Sequence, residues 1–158
     1  HLLGEMLKKQ KGLNLLHVPY KGASAAATDV VAGQLPMTFG SFPGVMPFVT
    51  SGKLRALGVT TAERAPSFPD VPAIAETLPG YETYSWNALF APAGTPPEAV
   101  ARLNAAAVAA MADPAVVARM GEFSASIVAS SPEELAQHVK AEMTKWEPVV
   151  TDANVTMD

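Results

Sequence analysis

The segment Val18-Pro19-Tyr20-Lys21-Gly22-Ala23-Ser24 holds the residues best suited to chemistry, and that chemistry is capture of an anion rather than the making of bonds. An apolar run, Leu13-Asn14-Leu15-Leu16-His17-Val18, leads into it and stops at Pro19, the pattern of a buried strand followed by a turn. Ala25 to Ala32 follows as a helix that Ser24 is placed to cap and Gly33 to close. A strand that turns through glycine into a helix start presents N–H groups with no intrahelical acceptor, at the positive end of the helix dipole. Gly22, Ala23 and Ala25 are small enough to let a carboxylate reach those amides. The Ser24 hydroxyl adds a donor, and Lys21 adds longer-range attraction. The same residues also make an ordinary strand-to-helix turn with a solvated lysine, so the loop alone names no ligand.

Other reactive groups are few and scattered. The chain has no cysteine, which removes thiol nucleophiles, thiolate metal sites and disulfides together. Of its three histidines, His1 is a terminus and His17 sits in the apolar run as a hydrogen-bonded core or rim residue. His138 and Glu142 have the i, i+4 spacing of a two-ligand metal face, but no third ligand is evident and a solvated surface is expected. Gly40-Ser41-Phe42-Pro43-Gly44 puts a serine at a strand-to-helix turn without the Gly-x-Ser-x-Gly spacing of a nucleophile elbow. Its hydroxyl is read as capping the next helix or bonding a ligand. No phosphate-binding glycine motif occurs, so neither a catalytic residue, a metal nor a cofactor is expected. Tyr84 and Trp86 are strand aromatics suited either to a core or to the wall of a ligand cleft.

The elements that must position these residues follow from composition and pattern. With 158 residues, 49% hydrophobic and 16% charged, the chain can form one or two globular units with a real core. No apolar run approaches the roughly 20 residues that cross a bilayer, and a soluble chain is expected. The start at His1, with no signal-peptide pattern, is read as that of a processed chain or a fragment. A net charge of -4 without a cluster of basic residues argues against nucleic acid as a partner.

Leu2, Leu3, Met6 and Leu7 predict a helix that stops at Lys11-Gly12. Further strands are predicted at 35–39 and 54–60, with a short helix through Val45, Met46, Phe48 and Val49 between them. A proline-punctuated connection from Pro66 to Pro79 holds one helical turn near Ile74. A strand at Ser85 to Pro92 introduces a different composition, and a lobe boundary is placed near Tyr84, dividing the chain into 1–84 and 85–158. Three helices follow, opened by Thr95-Pro96-Pro97-Glu98, Asp113-Pro114 and Ser131-Pro132-Glu133-Glu134, the first and last of these read as capping boxes. Their apolar faces, including Leu103, Leu135, Val139, Met143 and Trp146, exceed what one short strand near Ile127 can cover. If the chain is a fragment, these faces should drive dimerisation.

The order of several segments resembles the Bug receptors of tripartite tricarboxylate transport. His17-Val18-Pro19-Tyr20-Lys21-Gly22 with Asp29 and Gly33-Gln34 carries the likeness first. Gly52 to Thr60, Arg64, Pro69-Asp70-Val71-Pro72 and Glu76 continue it, and Trp86, Ala91 to Pro96 and Lys145-Trp146 extend it over nearly the whole chain. The ending Ala153-Asn154-Val155 stands where the family more usually has Ala-Gly-Ile.

The resemblance implies an α/β, type II periplasmic-binding fold of which this chain would be the second lobe (1–84) plus the crossover strand and helical return to the first lobe (85–158). It implies a periplasmic solute-binding protein that holds a small organic carboxylate and delivers it to a membrane permease, with no catalysis. Carried over by position, the ligand-binding residues are Tyr20, Lys21, Gly22, Ala23, Ser24, Ser41 and Phe42. Ser24 and Ala25 stand where the family often has proline, which bears on ligand identity. Competing readings are the effector-sensing domain of a transcription regulator, which shares the two-lobed architecture, and a hydrolase using Ser41.

Overall fold

The computed structural model describes residues 1–153; Asn154 and Val155 of the C-terminal ending lie outside them. Among the described residues the helices are α1 (Leu2–Lys11), α2 (Ala23–Val31), α3 (Phe42–Thr50), α4 (Pro97–Met111), α5 (Pro114–Glu122) and α6 (Pro132–Asp152), with a 3-10 turn at Ile74–Glu76. The chain divides into two compact units, His1–Ser85 and one that begins at Trp86.

In the first unit, α1 ends where the sequence predicts, at Gly12 with φ 61°, a left-handed backbone that glycine adopts without strain. Lys8, Lys9 and Lys11 fill its last turn and complement the helix dipole. α2 and α3 pack on each other. Gly33, at φ 76°, closes α2 as expected, and the Gln34 amide returns to the Asp29 carbonyl at 2.8 Å.

The predicted strands do not pair into a sheet. Among the described residues the recorded pairing is one isolated parallel bridge, Val59 with Ala73. Around it, Val59 N–H donates to Pro72 O, Ile74 N–H to Val59 O and Thr83 N–H to Thr60 O, at 2.8–2.9 Å. A strand is defined by a neighbour that takes up its backbone groups along its length, and among the described residues such neighbours meet at 59–60. Side chains expected in a buried sheet are therefore open: Leu16 is 90% exposed and Leu57 68%. His17 is also exposed, stacked on His1 with ring centroids 3.9 Å apart, which excludes the core from its core-or-rim reading.

The buried set is Ala27, Ala73, Leu78, Tyr81 and Thr83. Tyr81 is 0% exposed, and its hydroxyl donates to the Leu3 carbonyl at 2.9 Å, joining the 78–83 segment to α1. The proline-rich connection is held at its surface by Arg64, whose Nε and Nη2 donate to the two Glu76 oxygens at 2.7 and 2.9 Å while Nη1 donates to Pro69 O at 2.9 Å. Glu76 also accepts the Ala73 amide at 2.9 Å. Hydrogen bonds from Arg64 and then Ala73 lower the Glu76 carboxyl to about 2. A carboxylate held below its unfolded value adds stability that is complete above the ordinary glutamate pKa and is lost as pH falls through the folded value. The stability difference between the native chain and Glu76→Gln should thus be constant above about pH 5 and close towards pH 2, read from urea midpoints across that range.

In the second unit, Ser131 and Glu134 form the expected capping box, the Glu134 amide donating to Ser131 Oγ at 3.2 Å and the Ser131 amide to Glu134 Oε2 at 2.8 Å. Asp113 caps α5 by accepting the Ala115 amide at 2.8 Å. The box expected at Thr95 does not form: Pro96 takes the cap position, and the Thr95 hydroxyl donates back to Pro92 O at 2.8 Å. Pro96 has no side-chain acceptor to offer, so the turn before the helix claims the hydroxyl. α4 and α5 are bent by 71° at their junction. Among the described residues no single helix is long and apolar enough to cross a membrane. α4, α5 and α6 contain no fully buried residue; of the apolar faces read in the sequence, Leu103 and Met143 are exposed while Leu135, Val139 and Trp146 are half-buried.

Candidate functional site

The approach to α2 is the most open part of the candidate set. Residues 21–25 are all exposed. α2 begins at Ala23 with Gly22 as its N-cap, where no side chain caps it. Ser24 is thus already inside the first turn, its carbonyl accepting Thr28 Oγ1 at 2.9 Å, and the expected Ser24 cap is corrected. The cap position falls to Gly22 because its carbonyl takes the first helical bond, from Ala26 N–H at 3.5 Å. The amides of Ala23, Ser24 and Ala25 belong to the turn that has no intrahelical acceptor. Gly22 has an extended φ of 173°, open to any residue, and a Cβ built on it would meet nothing within 4 Å. Its value at this position is the clear path it leaves to those amides.

Tyr20 is differently placed. Its hydroxyl donates to Asp29 Oδ2 at 2.5 Å. That hydrogen bond, then desolvation and the carboxylate charge, raises the Tyr20 phenol above its ordinary value. The structure therefore ties Tyr20 to α2, while Lys21 stays exposed beside the helix start.

The second loop leads into α3, which starts at Phe42, earlier than its apolar residues predict, because Pro43 is pre-set for a first helical turn. Ser41 is the N-cap residue but makes no side-chain cap bond; its carbonyl accepts the amides of Gly44 and Val45 at 2.9 and 3.2 Å. Pro43 has no N–H, so this helix start offers one donor fewer than that of α2. Phe42 packs edge-on to Phe68 with centroids 4.8 Å apart. A Cβ at Gly40 would run into the Val45 side chain, which explains the glycine before Ser41. The two loops thus open onto neighbouring, mutually packed helices of one unit.

The remaining candidates lie in or next to the second unit. Tyr84 is 48% exposed. Trp86 meets His138 edge-on with centroids 5.0 Å apart. Glu142 accepts Trp146 Nε1 at 3.0 Å and Lys145 Nζ at 3.4 Å. His138 and Glu142 are half-buried within this cluster, which corrects their reading as a solvated face. No group of three metal-ligating side chains occurs among the described residues. Sequence reasoning missed the Tyr20–Asp29, Arg64–Glu76 and Trp86–Glu142 partnerships. The isolated acid Asp29 in an alanine-rich helix was the one visible signal for the first.

Similarity to solved structures defines the class, that of periplasmic binding proteins. The chain is similar to an R. palustris protein with adipate, at TM-score 0.86 and 36% identity over 99% of this chain and 52% of that one. It is similar to periplasmic binding protein BugD, at TM-score 0.84 and 34% identity over 100% and 54% of the two chains. MatC from Rhodopseudomonas palustris with bound malate matches at TM-score 0.79 and 34% identity, over 94% and 52%. A curated relative from Pseudomonas sp. strain P51, the UPF0065 protein in the tcbD-tcbE intergenic region, is 39% identical over 96% of this chain and 46% of its own length. The chain belongs to the tripartite tricarboxylate transporter receptor family, TctC, whose family model matches residues 1–155. It spans about half the length of these relatives. The family is one of transporter receptors, and the solved relative BugD is a periplasmic binding protein.

Proposed function

We propose that this chain supplies one ligand-binding lobe of a periplasmic receptor that captures a small organic carboxylate and passes it to the permease of a tripartite tricarboxylate transporter. Residues 1–84 are the α/β lobe that holds the ligand, and residues from 85 onward are the crossover and helical part of the other lobe of a type II fold. The observation that carries the reading is the exposed start of α2, where Gly22 leaves the amides of Ala23, Ser24 and Ala25 open beside Lys21. Such a helix start suits a carboxylate by both hydrogen bonding and dipole. Ser41 and Phe42 supply the neighbouring loop. Solved relatives with adipate and with malate support a small dicarboxylate as ligand.

The test is a thermal-shift screen of mono-, di- and tricarboxylates with neutral amides as controls. It is run on this chain alone and on this chain fused behind the front half of the adipate-bound relative. A ligand at about 100 times its dissociation constant adds about 2.7 kcal/mol of stability, a shift of several degrees. A selective rise with one carboxylate is expected in the fused receptor. A flat response to every carboxylate in both proteins overturns the carboxylate-receptor reading.

A further inference from the structure

α2 starts with little of its own to hold it. No side chain caps it, and the first helical bond, Ala26 N–H to Gly22 O, is long at 3.5 Å. A nine-residue helix is too short to keep its ends formed unaided, and an uncapped first turn frays. Gly22 adds freedom there rather than restraint. The turn that carries the Ala23, Ser24 and Ala25 amides must therefore be fixed by something outside it.

The bond from Tyr20 to Asp29 is placed to do so. Asp29 lies in the last turn of α2, roughly 9 Å along the axis from Ala23 at about 1.5 Å per residue. To reach it the Tyr20 side chain lies back along the helix, and the chain from Tyr20 to Gly22 is held between that bond and the first turn. The Asp29 carbonyl also takes the amides of Gln34 and Leu35, at 2.8 and 3.4 Å, so one residue secures the chain both entering and leaving the helix. Tyr20 and Asp29 are each half-buried. An acid is otherwise poorly suited to this position: it opposes the helix dipole, no basic residue shares the turn, and alanine is the better helix former. What it offers instead is an acceptor for Tyr20.

We infer that Asp29 is a positioning residue for the anion site: by holding the Tyr20 hydroxyl it fixes the entry to α2, so that the amides of Ala23, Ser24 and Ala25 are aligned before a ligand arrives. Donors already in place spare the ligand the cost of ordering them, and affinity gains by that amount. The brace itself does not depend on the ligand; its bearing on affinity rests on the carboxylate-receptor reading above.

The test has a ligand-free arm and a binding arm. Nitrogen-15 relaxation on the labelled chain should give order parameters of about 0.85 at Ala23 to Ala25, falling below about 0.6 in Tyr20→Phe, which loses only the hydroxyl, and in Asp29→Ala. Helix preference and dipole alone predict the opposite for Asp29→Ala, a firmer helix. Asp29→Asn keeps a side-chain oxygen acceptor and should restore the native order. In calorimetric titration of the fused receptor with adipate and with malate, Tyr20→Phe and Asp29→Ala should each weaken binding about 10-fold, and the double variant no more than either, because both break the same bond. Removing the Asp29 charge would by itself strengthen the binding of an anion, so a weakening cannot come from charge. Native order at Ala23 to Ala25 in Tyr20→Phe, which tests the brace even if Asp29→Ala unfolds, overturns the inference. Losses that add in the double variant also overturn it and assign Tyr20 to direct contact with the ligand. If the carboxylate screen is flat, loss of order in the variants upholds the brace and only the receptor reading falls.

Discussion

Replacing Tyr81 with alanine should cost about 3–5 kcal/mol and leave the first unit without a cooperative unfolding transition. Tyr81 is the largest fully buried side chain, in a buried set whose other members are Ala27, Ala73, Leu78 and Thr83. With so few buried residues, no neighbouring cluster can collapse into the space the ring leaves, and the full transfer and cavity terms are felt. The ring also carries the hydroxyl that reaches Leu3 O, across 78 positions of sequence. Tyr81→Phe isolates that bond and should cost about 1 kcal/mol, because the ring still fills its place. Denaturant unfolding of the two variants separates packing from hydrogen bonding. A loss below about 1 kcal/mol for Tyr81→Ala would show that the unit is held together elsewhere.

Ser24→Asp should weaken carboxylate binding about 10- to 100-fold in the fused receptor. Ser24 is exposed in the first turn of α2, and its hydroxyl is not used as a cap. An aspartate there brings a negative charge to the same amides proposed to receive the ligand, and it can itself occupy them. Two like charges about 4 Å apart near a protein surface repel by up to about 4 kcal/mol, which solvent screening reduces. The helix is not harmed, since an acid in the first turn favours the dipole. The variant should therefore be as stable as the native chain or slightly more so, and calorimetric titration then reads the site alone. Unchanged affinity in a stable Ser24→Asp receptor would move the ligand away from α2.

The parts of this protein that sequence determined by itself are those decided within a few residues. The end of α1 at Gly12, the close of α2 at Gly33 and the caps made by Asp113 and Ser131 follow from local backbone preference and side-chain reach. Family membership was legible for a related reason: many short segments in fixed order are a property of the chain and need no contact to be seen. Amphipathic α4, α5 and α6 announced apolar faces with no local partner, and none of their residues is fully buried. Caps at Ser24 and Thr95 were misread because residues one or two positions apart competed for one position, Gly22 and Pro96 winning it.

Tertiary structure alone decided what depends on distant groups meeting. Apolar runs at 13–18 and 35–39 have strand composition, yet a strand exists only where another segment accepts its hydrogen bonds, and among the described residues that happens at 59–60. The Arg64–Glu76 bridge spans 12 positions and the Tyr20–Asp29 bond 9, spacings that no helix or strand period singles out. Trp86 and His138 lie 52 positions apart by their numbers and meet only because α6 returns past the start of its unit. Local chemistry can place a helix start that suits an anion, but which side chains brace it is settled by contacts between segments far apart in the chain.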